Sequence, residues 1–345
     1  MLFWQTVTFK DNHRLMAKPP LVTVVVPNYN HRPFLPARLE SIAAQSFTDY
    51  ELLLLDDASN DGSVEYLKQF EDRAHVRLVL NETNSGGPFA QWNRGIREAR
   101  GKYIWIAESD DTAEIQFLEK LVEILEGHPD VGIAACGITM IDEDGISAGP
   151  MDYDAFPHVR HRWTKDFLAK GSEEIKQFLY VQNTIPSASV VVFRRSLYQQ
   201  AGDADCSLKL AGDWWRWVQM LLTCDLYYLA EPLACSRIHS SSQRQRATVE
   251  GRYELESLIV QNRIKGRLNV DTDTVRQGAQ RCATSWLQAV RAGRYRGSLT
   301  GHGLLFCRLL RLNVMVAVRF LVRFPLCFSI WVARRTWFRH QGDGT

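Results

Sequence analysis

The chain has 345 residues, of which 46% are hydrophobic and 23% charged, and this is the composition of a folded protein with a sizeable core. Its net charge of +2 hides an asymmetry. Residues 241–345 carry 18 Lys and Arg against 6 Asp and Glu, whereas residues 1–240 carry 23 against 33. An acidic body with a basic tail suggests that the tail meets an anionic surface. The seven cysteines form no CxxC pair, which argues against a zinc site or a disulfide framework and favours reduced thiols in the cytoplasm.

Residues 1–19 precede the first regular pattern, and we expect them to form an irregular leader that stops at Pro19-Pro20. They are not typical of a signal peptide, because the apolar stretch at 1–9 is short and polar residues follow it at once.

Short apolar runs then alternate with amphipathic segments. The predicted strands are 21–26, 50–55, 76–80, 103–107, 131–136, 188–193 and 226–230, and the predicted helices are about 36–44, 63–71, 88–100 and 114–126. Beyond about residue 245 the pattern is mostly helical. The alternation predicts an α/β fold with a mostly parallel sheet flanked by helices. Ligands bind such sheets at the carboxyl ends of the strands.

Polar loops follow the first two predicted strands, at 27–30 and 56–63. Turns and helix caps use the same residue types, so Asp61 or Ser63 could simply cap the next helix. An EF-hand loop is excluded, because Lys68 stands where the bidentate Glu is needed.

The fourth predicted strand is followed by Glu108-Ser109-Asp110-Asp111, with three carboxylates in four residues. Such carboxylates repel one another unless they are well solvated or surround a cation. A solvated acidic turn is one interpretation. A site for Mg²⁺ or Mn²⁺ bridging to a diphosphate is the other. No strand is followed by GxGxxG and no P-loop spacing occurs, so a nucleotide would have to be bound with the help of a metal.

Six segments in this order resemble family 2 glycosyltransferases of the GT-A fold, over about residues 21–240. They are Pro27 to Asn30, Asp56 to Ser63, Asn84 to Gly86, Asn93 to Ile96, Ala99 to Ile104 and Glu108 to Asp111. The resemblance implies a Rossmann-like GT-A catalytic domain, which we place at 20–242. The residue pattern adds the leader at 1–19 and a helical basic region at 243–345.

The resemblance also implies functional residues. The metal, Mg²⁺ or Mn²⁺, would be held by Asp110, Asp111 and His239. The nucleotide-sugar would be contacted by Pro27, Tyr29, Asn30, Asp57, Gly86, Gly87, Asn93, Asp110 and Arg237. The chain departs from the commonest family pattern at Glu108, where Asp is usual.

A further segment, Ala211-Gly212-Asp213-Trp214-Trp215, resembles the catalytic segment of the family, in which an acidic residue heads an aromatic-rich helix. Asp213 is then the expected general base, which removes the proton from an acceptor hydroxyl. Helix capping is a second role that Asp213 could also fill. Trp214, Trp215 and Trp217 could offer aromatic faces to a sugar, although Trp217 fits a core position equally well.

The tail from residue 303 to 339 alternates apolar segments with arginines and contains no stretch of ~20 apolar residues that would span a bilayer. Arg with Trp and Phe is typical of a helix lying in a membrane interface. An amphipathic helix packed on the catalytic domain is the alternative, and the apolar content argues against nucleic acid as a partner.

The expected function is inverting transfer of a sugar from a nucleotide-sugar donor to a hydroxyl, with a glycan or polyprenyl-linked acceptor used in cell-surface polysaccharide synthesis. We expect the protein in the cytoplasm, peripheral on the inner face of the membrane. Two alternatives stay open: a nucleotidyltransferase that makes nucleotide-sugars, and a non-catalytic membrane scaffold derived from such an enzyme.

Overall fold

The structure is a computed structural model that describes residues 18–151, 162–239, 252–291 and 299–322. Nearly all of the predicted leader, and the tail beyond residue 322, lie outside the described residues. The chain divides into two compact units. We call the first, with described residues 18–151, 162–171 and 185–239, the sheet unit. The second, with described residues 172–184, 252–291 and 299–322, is the helical unit.

The described residues of the sheet unit form ten strands. They are β1 (Val22–Asn28), β2 (Tyr50–Asp56), β3 (Val76–Leu80), β4 (Tyr103–Ile106), β5 (Thr112–Ala113), β6 (Val131–Ile141), β7 (Ser147–Pro150), β8 (Phe167–Ala169), β9 (Val191–Arg194) and β10 (Asp225–Arg237). Its helices are α1 (Leu35–Ala43), α2 (Ser63–Leu67), α3 (Pro88–Glu98), α4 (Phe117–Gly127), α6 (Arg195–Gln200) and α7 (Gly212–Leu221), and a short helix α5 (Gly171–Glu174) leads into the helical unit.

The main path of the sheet runs β3-β2-β1-β4-β9-β6-β10-β5. The first four strands are parallel, as are β6 and β10, while β9 joins these two groups by pairing antiparallel with β4 and β6. Every residue of β1 and β2 is buried, which explains why both runs are apolar without alternation. The predicted α/β class with a mostly parallel sheet flanked by helices is confirmed.

The carboxyl ends of β1, β2 and β4 meet at one edge of this sheet. Asn28 pairs in register with Asp56 across β1 and β2, and Val25 pairs with Ile106 across β1 and β4. The loops that follow these strands therefore start side by side.

The helical unit contains α8 (Arg252–Lys265), α9 (Thr272–Arg291), α10 (Leu299–Leu312) and α11 (residues 314–322), together with a π-helical turn at Ile175–Leu179. Polar groups tie its segments together. Gln261 Nε2 donates to the Val181 carbonyl at 3.2 Å, and Ser285 Oγ donates to Glu254 Oε1 at 2.7 Å. None of the described helices is both long enough and apolar enough to cross a membrane.

Candidate active site

The loop after β1 is fastened to the loop after β2. Asn28 Nδ2 donates to Asp56 Oδ2 at 2.7 Å. Asn30 adopts a left-handed conformation with φ of 56°, which Asn tolerates better than most residues. Pro27 is buried within β1, while 42% of the surface of Tyr29 is exposed. Among the predicted nucleotide contacts in this loop, Tyr29 is therefore the one whose ring is open to a ligand.

Asp57 organises the turn that follows β3. Its carboxylate is 3% exposed and accepts hydrogen bonds from Asn81 Nδ2 at 2.6 Å, Ser85 Oγ at 2.8 Å and Gln91 Nε2 at 2.7 Å, as well as from the Ser85 main-chain N–H. These bonds hold the turn in which Gly86 takes a φ of 84°. Asp57 thus positions the predicted glycine contacts, and its own bond to a nucleobase stays a prediction.

The glycine turn is joined to the segment that leads to Asp213. Lys209 Nζ donates to the Gly86 carbonyl at 2.9 Å, and a Cβ placed on Gly87 would lie 3.6 Å from the same nitrogen. The turn and the segment around Lys209 therefore form one continuous surface.

Asn93 lies beneath this segment. Its Oδ1 accepts from Tyr198 Oη at 2.8 Å and from the Ala204 N–H at 2.7 Å, and its Nδ2 donates to the Ala204 carbonyl at 3.0 Å. The amide is buried and holds residue 204 in place. The structure therefore gives Asn93 a positioning role, and its predicted contact with the nucleotide stays a prediction.

The three carboxylates after β4 have separate partners. Glu108 Oε1 accepts from Trp92 Nε1 at 2.9 Å. Asp110 Oδ2 lies 3.0 Å from His239 Nε2. The Asp111 carboxylate accepts from the Arg237 main-chain N–H at 3.0 Å and from Ser187 Oγ at 3.1 Å. The partners of Asp111 belong to the frame of the loop, whereas Asp110 faces an imidazole.

Burial and mutual repulsion make the pKa values of these groups diverge. Burial, with the nearby Asp110 charge, raises the pKa of Glu108 to about 8. The same two causes raise the pKa of Asp111 to about 6. Burial also acts to raise the pKa of Asp110, but the bond to His239 and the nearby His31 outweigh it and hold that pKa below its usual value. Asp110 is therefore the carboxylate of the loop that most readily stays ionised.

Asp110 and two histidines form a group that could hold a cation. One ligand atom from each of His31, Asp110 and His239 lies within 4.8 Å of the others. His31 comes from the loop after β1, and His239 follows β10. Two imidazoles and a carboxylate are ligand types that divalent metals use, so the residues fit a metal ion.

A buried arginine stands behind the acidic loop. Arg38 of α1 is fully buried; its Nε donates to the Glu108 carbonyl at 2.9 Å and its Nη2 to Ser189 Oγ at 3.1 Å. Its guanidinium lies 4.8 Å from the centre of the Trp105 ring. Burial lowers the pKa of Arg38 to about 10, so the group keeps its charge at neutral pH and opposes the negative charge of the loop.

Arg237 clamps the same loop from the end of β10. Its Nε donates to the Asp110 carbonyl at 2.8 Å, and its Nη1 donates to the carbonyls of Asp142 at 2.8 Å and Glu143 at 2.9 Å. The guanidinium also lies 5.1 Å from the centre of the Phe34 ring. These contacts fix the acidic loop, and the predicted contact of Arg237 with phosphate stays a prediction.

Asp213 is partly exposed in the first turn of α7, where the helix dipole favours a negative charge. Its Oδ1 accepts from the Trp214 N–H at 2.6 Å, so it also serves the helix end. At Gly212 any Cβ would lie 2.4 Å from the Phe89 ring, so only glycine lets α7 start this close to α3. The catalytic role predicted for Asp213 is compatible with this position.

The three tryptophans of α7 are core residues. Trp214, Trp215 and Trp217 are 1%, 3% and 0% exposed. The interpretation that they offer ring faces to a sugar is wrong, because α7 is covered on the sides that carry them. The ring centroids of Trp217 and Trp92 lie 6.0 Å apart, and Trp92 Nε1 donates to Glu108 Oε1. This pair of rings connects α7 with the acidic loop.

The model of the protein family described as "Glycosyl transferase family 2" matches this chain over residues 23–202, more than half of its length. The chain belongs to this family. A relative from Bacillus subtilis, the putative teichuronic acid biosynthesis glycosyltransferase TuaG, is 32% identical over 156 residues, which cover 44% of this chain and 58% of that protein. The matched stretch thus spans little more than half of that relative.

Two solved structures share the fold. Residues 1–349 of Staphylococcus aureus TarS in complex with UDP-GlcNAc match with a TM-score of 0.64 at 16% identity, covering 91% of each chain. The mannosyltransferase PcManGT from Pyrobaculum calidifontis, in complex with GDP-Man and Mn²⁺, matches with a TM-score of 0.56 at 16% identity, covering 93% of this chain and 88% of that one. At this identity the likeness concerns the fold.

Two residues of this candidate site were not predicted from the sequence. His31 directly follows the predicted contact Asn30, and that adjacency was the available signal. Arg38 occupies the apolar face of α1 together with Leu35, Leu39 and Ile42, and a charge on that face was the signal there.

Proposed function

We propose that this chain is an inverting glycosyltransferase that needs a divalent metal and moves a sugar from a nucleoside diphosphate sugar to a hydroxyl of an acceptor. The observation that carries the proposal is the meeting of Asp110 with His31 and His239 at the sheet edge where the Asp57 turn also lies. Family membership and the nucleotide-sugar complexes of two proteins of the same fold support it.

The residues at this edge divide the work between the two ends of the donor. The loop with Pro27, Tyr29 and Asn30 and the turn shaped by Asp57 would hold the nucleoside. The glycine turn at Gly86 and Gly87 would let main chain approach it closely. Asp110 and His239 would hold the metal, with Asp111 as a further predicted ligand. When bound, Mg²⁺ or Mn²⁺ neutralises charge on the departing diphosphate.

Asp213 would act at the acceptor. Its carboxylate accepts the proton of the acceptor hydroxyl while that oxygen bonds to the anomeric carbon from the face opposite the diphosphate. The carbon–oxygen bond to the diphosphate breaks in the same step, so the configuration at the anomeric carbon inverts. Binding both substrates in this arrangement supplies much of the rate acceleration.

We further propose a glycan or polyprenyl-linked acceptor that is used in cell-surface polysaccharide synthesis. The names of two relatives support this. TuaG is named for teichuronic acid biosynthesis, and TarS is a poly(ribitol-phosphate) β-N-acetylglucosaminyltransferase. For an acceptor of this kind we propose an enzyme in the cytoplasm, peripheral on the inner face of the membrane. We propose no nucleic acid partner.

The proposed membrane contact is supported by the outer face of α11. Val314, Met315, Val318 and Val322 are 60%, 62%, 46% and 75% exposed, and their spacing places them on one side of the helix. Arg319 is exposed between them. An apolar stripe with flanking arginine suits the interface of an anionic membrane. We propose residues 20–242 as the catalytic region and 243–345 as the helical basic region that provides this contact.

The test is turnover with a panel of nucleotide-sugars, by release of nucleoside diphosphate, with Mn²⁺, Mg²⁺ or excess EDTA. We expect one class of donor to be consumed, only with metal, and Asp213→Asn to lower kcat by at least ~10³-fold while donor binding is kept. Asp203→Asn is the matched control, because Asp203 lies in the same segment and makes an exposed ion pair with Arg97. Turnover retained by Asp213→Asn would remove Asp213 from the mechanism.

A further inference from the structure

We propose that His31 is a ligand of the bound metal, and that His31 and His239 together make the site prefer a first-row transition cation such as Mn²⁺ over Mg²⁺. This inference rests on the proposed function, since it concerns the cation of the same site. It assigns to the loop after β1 a task that neither the strand-end pattern nor the family resemblance gave it.

His31 lies close to the two predicted metal ligands Asp110 and His239. His31, Asp110 and His239 come from three separate segments, after β1, β4 and β10, yet one ligand atom of each lies within 4.8 Å of the others. Binding of all three atoms by one cation would require separations of this order or somewhat less. Small side-chain movements are enough to bring the three onto one ion.

The His31 ring is oriented by a hydrogen bond to Ser109. Its Nδ1 lies 2.8 Å from Ser109 Oγ, and Ser109 is 1% exposed, immediately before Asp110 in the loop. This contact occupies Nδ1 and leaves Nε2 for a cation. Metal-binding histidines are commonly oriented in this way, by a hydrogen bond from the nitrogen that does not meet the metal.

The imidazole rings of His31 and His239 also pack against each other. The His31 and His239 rings meet edge to face with centroids 5.5 Å apart, and the Phe34 ring lies 5.8 Å from His31 and 4.8 Å from His239. The aromatic contacts restrict both imidazoles to one arrangement.

The ligand chemistry then determines the preference for the cation. Mg²⁺ binds oxygen almost exclusively and keeps several waters. Imidazole nitrogen is a ligand of first-row transition cations, and two imidazoles with one carboxylate form the set found in non-haem iron sites. Mn²⁺ accepts oxygen ligands as Mg²⁺ does, and unlike Mg²⁺ it also accepts imidazole nitrogen readily. The Asp111 carboxylate, which would make the set richer in oxygen, is held by the Arg237 N–H and Ser187.

The experiment measures metal binding without turnover. Mn²⁺ binding to the full chain is followed by electron paramagnetic resonance, and Mg²⁺ binding by competition, with and without UDP or GDP. We expect the wild-type protein to bind Mn²⁺ at least ~10-fold more tightly than Mg²⁺, and His31→Gln to lose ~10-fold or more in Mn²⁺ affinity with less than a ~3-fold change for Mg²⁺.

A spectroscopic signature distinguishes a ligand from a residue that only supports the fold. Electron spin-echo modulation of bound Mn²⁺ should show nitrogen couplings from two imidazoles in the wild-type protein and from one in His31→Gln. Ser109→Ala should keep both couplings with weaker binding. His128→Gln is the matched control, because His128 is exposed and stacks on Tyr227 away from the acidic loop.

The outcomes separate the inference from the proposed function. Unchanged Mn²⁺ affinity and two nitrogen couplings in His31→Gln would overturn the inference, whatever the activity. If His31→Gln melts more than a few degrees below wild type, His31→Asn takes its place with the same expectations. Two imidazole couplings without turnover of any donor would leave the inference standing and refute the proposed function.

Discussion

Among the individual residues, Glu108 is unusual, because burial and a neighbouring charge raise the pKa of its carboxyl to about 8. The cause is burial first and the neighbouring Asp110 charge second. Because its folded-state pKa lies above the unfolded value of 4.5, the protonated group contributes stability fully below pH ~4.5. That contribution is lost as the pH rises through about 8. At pH 7 the metal-free protein therefore holds Glu108 mostly protonated.

The corresponding prediction concerns Glu108→Gln in excess EDTA. Gln keeps the acceptor for Trp92 but cannot ionise, so the Tm of the variant relative to wild type should rise steadily between pH 5 and pH 8. Each tenfold change in the acid dissociation constant corresponds to about 1.4 kcal/mol, so a rise of several degrees is expected. Thermal melts across this pH range measure it.

Glu126→Gln is the control with the opposite sign. The hydrogen bond from Lys102 lowers the pKa of Glu126, so its stabilising effect is present at neutral pH and lost on acidification. This variant should therefore fall slightly below wild type at pH 7 and converge with it near pH 4. A pH-independent Tm difference for Glu108→Gln would contradict the raised pKa.

Sequence reasoning reached the residues whose position depends on the strands alone. Asp57 and Asp110 follow buried strands, so the rule that strand ends carry ligands places them at one edge. It missed His31 and Arg38, because their importance depends on residues that are distant in the chain. His31 meets Asp110 and His239, and Arg38 reaches Glu108 and Ser189. The local signals at these two positions mark the residues, but they do not reveal which distant residues the side chains meet.

At the scale of elements, Gly101 controls how closely the turn before β4 approaches β1. A Cβ there would lie 2.5 Å from the Thr23 nitrogen and 2.6 Å from the Val22 carbonyl carbon, and both are main-chain atoms that cannot move aside. Gly101→Ala should therefore cost ~1–3 kcal/mol of unfolding free energy, measured by urea denaturation.

Gly127→Ala provides the matched comparison for this substitution. Gly127 ends α4, and nothing lies within 4 Å of the added Cβ. Alanine there should be neutral or stabilising by up to ~1 kcal/mol, because it restricts the unfolded chain. Equal effects of the two substitutions would show that close approach at Gly101 does not limit stability.

The cysteines report on the elements that contain them. Cys136 in β6 and Cys282 in α9 are buried, while Cys206 and Cys307 are exposed. Burial raises the pKa of the Cys282 thiol to about 12, which removes the reactive thiolate at neutral pH. Iodoacetamide at pH 8 should thus modify Cys206 and Cys307 within minutes and spare Cys136 and Cys282 until urea unfolds the chain. Peptide mass spectrometry measures the modified fractions, and labelling of Cys282 in the native protein would contradict its burial.

The elements themselves were predicted unevenly, for physical reasons. β1, β2 and β3 match their predicted positions within two residues, because apolar runs bounded by turn residues define them. β6 and β10 extend far beyond the predicted 131–136 and 226–230. Pro232 and the register shifts around it break the pattern of β10, although pairing with β6 continues to Arg237. Pairing between distant strands thus prolongs both elements past the point where their own residues favour a strand.

At the scale of the whole molecule, the two compact units of the structure have other bounds than the regions proposed from the sequence. The segment 172–184 lies inside the predicted catalytic region 20–242, yet the structure groups it with the C-terminal helices. Gln261 of α8 binds the Val181 carbonyl, and a Cβ on Gly278 of α9 would lie 3.2 Å from the Tyr180 ring. These partners are about 80 to 100 residues away in the chain, so no window of the sequence reveals them.

In the helical unit, one face of α11 is apolar and exposed. The opposite face is covered: Val316, Ala317 and Phe320 are at most 6% exposed. A helix packed on one side and apolar on the other would gain free energy by burying the outer stripe. At ~25 cal/mol per Å² of apolar surface, even partial burial of four such side chains contributes several kcal/mol. Arg311 and Arg319 add attraction to anionic lipid.

The prediction is tested by sedimentation of the full chain with vesicles of phosphatidylglycerol and phosphatidylcholine. Met315→Ser with Val318→Ser should lower the partition coefficient ~10-fold or more, because both side chains lose their apolar contact. Arg311→Gln with Arg319→Gln should lower it on anionic vesicles and reduce its dependence on salt, while binding to pure phosphatidylcholine changes little. Ile146→Ser is the control, since Ile146 is 65% exposed in the sheet unit, before β7. If the Met315 and Val318 double variant sediments as the wild-type protein does, the stripe on α11 is not the membrane contact.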